Sequence, residues 1–155
     1  MYTCYFIGHR DAPSDIQDRL DKTVEYLARK CHVTEFVVEH HGNFNTMATA
    51  AVQRLKKLDL DITALRLLCY FPGDRHMVLP AYFDDFYYPL ELIHVPQRYA
   101  IEKVNQFMID QCDYLVAYVN RSGGNAAKYL RRGLRLQKKG YIKVINLADD
   151  HSRTG

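Results

Sequence analysis

The chain has 155 residues, 48% of them hydrophobic and 25% charged, with a formal net charge of +3 at pH 7. That length suits one soluble globular domain with a sizeable core, and so small and dispersed a charge gives no support to a nucleic-acid binder. No apolar run approaches the length of a membrane-spanning helix, and the start lacks the basic region and cleavage site of a signal peptide, so the chain is expected to avoid membranes.

The first predicted element is a strand over Tyr2–Ile7 that stops on Gly8-His9-Arg10. Gly8 offers a flexible joint that a ligand can approach closely, while His9 and Arg10 supply donors suited to a many-oxygened anion. A helix is predicted next, with Ser14 as N-cap and Ile16, Leu20, Val24 and Leu27 at helical spacing. The second strand covers Glu35–Glu39 and leads through His40-His41, read as local packing residues, into the turn Gly42-Asn43-Phe44-Asn45 and a helix over Thr46–Lys57. Bare amides at that helix start make an anion cradle, with Asn43 or Asn45 as N-cap.

A third strand is predicted over Ala64–Phe71, after which residues 72–96 lose all periodicity. This stretch holds Pro72-Gly73-Asp74-Arg75, where Arg75 is a further anion ligand, and the aromatic run from Tyr82 to Tyr88. It reads either as a functional lid or as a loop folded over a sheet edge. A helix from Pro96 to Gln111 follows and places Arg98 near the site, with Asn105 and Asp113 as structural hydrogen-bonding residues. The fourth strand, Tyr114–Val119, delivers a second glycine turn, Ser122-Gly123-Gly124-Asn125, to a helix ending at Lys139 before Gly140. Two adjacent glycines before a helix read as a phosphate loop, though neither a P-loop nor a GxGxxG motif is present. A fifth strand covers Tyr141–Leu147, and 149–155 read as a tail.

The apolar runs are continuous and alternate with amphipathic stretches. They predict an α/β, Rossmann-like three-layer sandwich in one domain, 1–148, with a mostly parallel five-stranded central sheet and helices on both faces. Glycine turns at Gly8, Gly42, Gly73 and Gly123-Gly124 would then meet at the carboxyl edge of the sheet, where such folds bind ligands. Cys4, Cys31, Cys69 and Cys112 form no CxxC pair and read as buried thiols of a cytoplasmic protein. A zinc site from Cys31 and His32 lacks partners at suitable spacing, and no metal is expected. The basic cluster from Lys128 to Lys143 reads as a solvated helix face.

Tyr-Phe-Ile-Gly-His-Arg at the start, Phe44 and Asn45 in the first glycine turn, Pro72-Gly-Asp-Arg75, Arg98 with Asn105 and Met108, Asp113-Tyr-Leu-Val-Ala-Tyr-Val and Gly123-Gly124 together resemble the SLOG superfamily. That superfamily is named for the DNA-processing protein DprA and the lonely-guy proteins, and the resemblance is to its small stand-alone bacterial, YpsA-like branch. It extends from Tyr2 to about Leu147. The resemblance implies a nucleotide or nucleotide-derived ligand held by Gly8 to Arg10, Gly42 to Asn45 and Ser122 to Asn125. Lonely-guy phosphoribohydrolases carry a Pro-Gly-Gly-x-Gly-Thr-x-x-Glu loop, whereas here Ser122-Gly-Gly-Asn-Ala-Ala127 is followed by no glutamate on that helix. The departure removes the obvious catalytic acid and favours binding over hydrolysis.

The leading expectation is therefore a sensor or binding domain for an ADP-ribose- or NAD-like compound, with the base stacked on aromatics of the 82–88 run. The alternative is a nucleotide phosphoribohydrolase-type enzyme using Glu39, Asp84 or Glu91; the third is single-stranded nucleic-acid binding as in DprA. Related folds often pair through their helices, which makes a homodimer an expectation.

Overall fold

The computed structural model describes residues 1–149, so the expected tail lies outside the described residues except for Asp149. Its strands are β1 (Tyr2–Gly8), β2 (Val33–Val38), β3 (Thr63–Leu67), β4 (Asp85–Tyr87), β5 (Tyr114–Tyr118) and β6 (Lys143–Asn146). The principal helices are α1 (Gln17–Lys30), α2 (Gly42–Lys57), α3 (Ala100–Gln111) and α4 (Asn125–Lys138). The strands form one sheet in the order β4-β3-β2-β1-β5-β6, and every neighbouring pair is parallel.

Both faces of the sheet are covered, which is why its strands read as unbroken apolar runs. On β1, Cys4 and Phe6 enter the core shared with Leu20 and Val24 of α1 and Ala48 and Leu55 of α2. Tyr5 and Ile7 point the other way, against Val104 and Met108 of α3 and Ala127 and Tyr129 of α4. Chain order runs outward from β1 through β2, β3 and β4 on one side, then restarts at β5 and continues to β6 on the other. The reversal lies between β1 and β5. There the amide of Thr3 donates to Asp113 Oδ2 at 2.9 Å and the amide of Asp113 donates to the Thr3 carbonyl at 2.9 Å, giving Asp113 its structural role.

The sheet has six strands where five were expected. The additional strand is β4, three residues long and at the edge, too short to show in an apolar pattern. Asp84 clamps it in place: its amide donates to the Ala64 carbonyl at 2.8 Å and its Oδ2 accepts from the Ala64 amide at 2.8 Å. Lys56 Nζ holds the same carboxylate at 2.8 Å. Helix starts also differ from expectation. Ser14 opens a 3-10 turn over Ser14–Ile16 and no side chain caps α1, while α2 begins at Gly42, so the glycine turn is itself the first turn of the helix. Among the described residues, no helix is long and apolar enough to cross a membrane.

Candidate functional site

A cavity of about 650 Å³ opens at the carboxyl ends of β1, β2 and β5. It sits at the point where strand order reverses, the standard ligand position in open α/β sheets. Of the expected site residues, Gly8, His9, Arg10, Asn45, Gly123, Gly124 and Asn125 line it.

The β1 end supplies the first wall. A Cβ built on Gly8 would stand 2.4 Å from Cγ of Phe44, whose ring is fully buried beneath it. Phe44 is thus a core residue that dictates glycine at position 8, not a ligand contact. Next in the chain, the amide of His9 donates to the Tyr118 carbonyl at 3.2 Å, and its Nε2 accepts from the Asn120 amide at 3.1 Å. A backbone amide only donates, so Nε2 is unprotonated and the imidazole is neutral with its proton on Nδ1. Burial first, and then the Arg121 charge, lower the His9 pKa.

A histidine with a lowered folded pKa binds fewer protons when folded than when unfolded, so its contribution is complete above pH ~6.5 and is lost as pH falls through the folded value. Urea denaturation of the wild-type chain should therefore show stability falling below pH ~6.5. His9→Gln, which keeps an acceptor but no titrating group, should flatten that fall; an identical pH profile in the variant would remove His9 as its source.

Beyond His9, the Arg10 carbonyl accepts from the Asn43 amide at 2.9 Å, and Asn43 Nδ2 donates to the Ala12 carbonyl at 2.9 Å. Gly42 packs against Arg10, where an added Cβ would lie 3.0 Å from its Cα. Gly42 and Asn43 therefore hold the β1 loop in place. Across the mouth, Arg121 pairs with Asp11 at 3.0 Å and lines the cavity beside Arg10.

The β2 end supplies a second wall of opposite character. Glu39 is only 4% exposed and lines the cavity. Its Oε2 accepts from the His41 amide at 3.0 Å and from Asn45 Nδ2 at 3.2 Å, while Oε1 contacts Nδ1 of His41. Arg66 Nη1 donates to the Glu39 carbonyl at 2.9 Å. The start of α2 was expected to cradle an external anion; Glu39 is the anion found there. Glu39, His40 and His41 are also the one group among the described residues gathered closely enough to hold a metal ion, with ligand atoms within 4.8 Å of one another.

The third wall is the start of α4. Gly124 is its N-cap, at φ 91 and ψ 175, and makes no side-chain cap bond. The first amides of the helix have no acceptor within it, and Gly124, Asn125 and Ala126 line the cavity with the helix dipole behind them. Asn105, which lines the cavity, is fixed from both sides: Tyr5 donates to its Oδ1 at 2.6 Å, and its Nδ2 donates to the Ile101 carbonyl at 2.8 Å. Burial above all pushes the Tyr129 phenol up to about 12, and burial with the nearby Glu39 carboxylate does the same for the Cys69 thiol.

Other expected site residues lie outside the cavity lining. Arg75 folds back on its own turn, donating to the Phe71 carbonyl at 3.0 Å. Arg98 stacks on Tyr99 with 4.9 Å to the ring centroid, and Ser122 is exposed, its carbonyl accepting from Arg131 at 3.2 Å. The loop at Gly73 does not reach the site, so three glycine turns meet there, not four. No aromatic residue of the 82–88 run lines the cavity. β4 carries that segment to the sheet edge, separated from β1 by β3 and β2, and Tyr82 lies instead beneath Lys57. The segment is thus a loop over the sheet edge, with its aromatics away from the cavity.

Asn105 lines the cavity besides tying helix to sheet, and Arg121, Tyr129 and Ile101 line it without a motif that marks them in the sequence. Tyr129 follows Asn125 by four residues and so shares a helix face with the glycine loop, a signal present in the sequence. On the basic helix face, Lys128 pairs with Glu102 at 2.7 Å and Arg132 with Asp110 at 2.6 Å. Compared with known proteins, the chain matches no family model and no curated protein.

Proposed function

We propose that the cavity binds a nucleotide or nucleotide-derived small molecule of the ADP-ribose or NAD-like class, and that the chain serves as a binding or sensing domain for it. The observation that carries this reading is the uncapped start of α4, with glycine as its N-cap, opening into a cavity at the strand-order reversal. Arg10 and Arg121 at the mouth add cationic partners for phosphate. The resemblance to the SLOG superfamily supports the same ligand class. A second reading, hydrolysis of a nucleotide's glycosidic bond, is favoured by one observation: of the three carboxylates weighed for it, Glu39 alone lines the cavity.

A thermal-shift panel of AMP, ADP, ATP, NAD and ADP-ribose, with inorganic phosphate as control, tests the proposal. A ligand at a hundred times its Kd adds about 2.7 kcal/mol, which for a domain of this size raises Tm by roughly 5–10 °C. A selective rise is the expected result, and no rise with any nucleotide would refute it. Base release from the compound that binds would turn the assignment to a hydrolase.

A further inference from the structure

Glu39 is a buried carboxylate without a Lys or Arg partner among the described residues; the side chains that pair with it there are those of His40 and His41. Arg66 spends Nη1 on the carbonyls of Val38 and Glu39, at 3.3 and 2.9 Å, not on the carboxylate. A carboxylate taken out of water is costly unless hydrogen bonds and a cation compensate it.

Its two oxygens have different surroundings. Oε2 accepts from the His41 amide at 3.0 Å and from Asn45 Nδ2 at 3.2 Å, which fixes the plane of the carboxylate. Both imidazoles turn toward the other oxygen: His40 Nδ1 stands 3.2 Å from Oε1, and His41 Nδ1 is in contact with it. The two rings lie 4.0 Å apart between centroids, and the three residues bring ligand atoms within 4.8 Å of one another. Ligands of a tetrahedral zinc ion at about 2.0–2.1 Å lie roughly 3.3 Å apart, close to the 3.2 Å between His40 Nδ1 and Glu39 Oε1. Hydrogen bonds alone would need two neutral imidazoles to place their protons on one oxygen, and the negative charge would stay uncompensated. A divalent ion compensates it.

The side chains of His40 and His41 are 54% and 43% exposed, so an ion has a path in from solvent and both rings have room to turn. Glu39 and His41 line the cavity, which puts the cluster on its β2 wall. Two imidazoles with one carboxylate suit Zn²⁺ and its first-row neighbours, whereas Mg²⁺ and Ca²⁺ prefer oxygen ligands throughout.

We infer that Glu39 Oε1, His40 Nδ1 and His41 Nδ1 form a binding site for one divalent transition-metal ion of the Zn²⁺ class, with Asn45 and the His41 amide as the outer contacts that aim the carboxylate. The site goes beyond the sequence reading, which gives His40 and His41 a packing role, and it does not depend on the nucleotide reading.

Calorimetric titration of the tag-free, chelator-treated chain with Zn²⁺ is the test, with Mg²⁺ as control. One equivalent of Zn²⁺ should bind saturably, and Mg²⁺ at the same concentration should not. Co²⁺ in its place should give a visible absorption without a sulfur-to-cobalt charge-transfer band, which separates this site from binding at the four cysteines. His40→Ala and His41→Ala change exposed positions, and circular dichroism checks that both fold. Each should weaken Zn²⁺ binding by no less than the roughly tenfold that loss of an outer contact costs. The wild-type titration and spectrum need no variant. Absence of saturable Zn²⁺ binding, a sulfur band with Co²⁺, Mg²⁺ binding as tight as Zn²⁺, or undiminished affinity in the folded histidine variants would each overturn the site and leave the nucleotide reading standing.

Discussion

Gly8→Ala should lower the stability of the fold by about 3 kcal/mol, at the upper end of what overpacking a core ordinarily costs. The added Cβ would lie 2.4, 2.5 and 2.7 Å from Cγ, Cδ2 and Cβ of Phe44. Rotating the ring does not relieve the clash, because Phe44 Cβ sits on the backbone of α2 and takes part in it. Nor can β1 retreat, since Gly8 pairs with Tyr118 of β5 and the Arg10 carbonyl is bonded to the Asn43 amide. Urea denaturation measures the effect directly. Phe44→Ala alone should cost about 3–5 kcal/mol by emptying a fully buried site. Together the two changes should cost less than their sum, by an interaction of about 1–3 kcal/mol, because the smaller residue vacates the space the new methyl needs. Strict additivity would show that Gly8 and Phe44 do not compete for that volume.

Gly124→Ala should cost about 1–3 kcal/mol for a different reason. Nothing lies within 4 Å of the Cβ it would gain, so no neighbour is struck. The cost is in the backbone, whose φ of 91 and ψ of 175 belong to a region that residues with a side chain hardly enter. Relief would come from refolding the turn, and that would turn the first amides of α4 away from the cavity. The variant should therefore lose both stability and the thermal shift given by a bound nucleotide. Gly123→Ala is the internal control: the position also has open space, and its φ is not in the left-handed region. There the substitution should be neutral, or stabilise by up to about 1 kcal/mol through the unfolded chain. If both variants melt like the wild-type chain, the turn is not held in the strained conformation that gives the cradle its shape.

These two glycines also mark where the sequence was and was not legible. Gly123-Gly124 announced itself, because a strand, two glycines and an amphipathic helix are consecutive in the chain, and their geometry follows from local rules. Gly8 was recognised as a site residue for a partly different reason from the one that governs it. A close approach to Phe44, 36 positions away, has no local signature. From sequence Phe44 correspondingly reads as a ligand contact, since an aromatic inside a glycine turn looks the same whether it faces ligand or core. Glu39 was visible only as one of three carboxylates; its hold on the start of α2 depends on the strand ending where Asn45 and the His41 amide converge on it.

The 72–96 segment shows the same limit from the other direction. Its lack of periodicity correctly marks a loop over a sheet edge, yet β4 within it rests on Asp84 meeting Ala64 across twenty residues. Three residues at an edge bury too little to leave an apolar pattern.

The sequence by itself determined the class of the fold, the order of its four principal helices and of every strand but β4, and the glycine turn that opens α4. Each of these depends on periodicity and backbone chemistry within a few neighbouring residues. Only the tertiary structure decided which turns meet, that Arg10 and Arg121 share the cavity with the buried Glu39, and that Asn45 Oδ1 is buried without a partner. Those properties arise between groups distant in sequence, whose charges and lone pairs acquire partners, or lack them, only when the sheet brings the strand ends together.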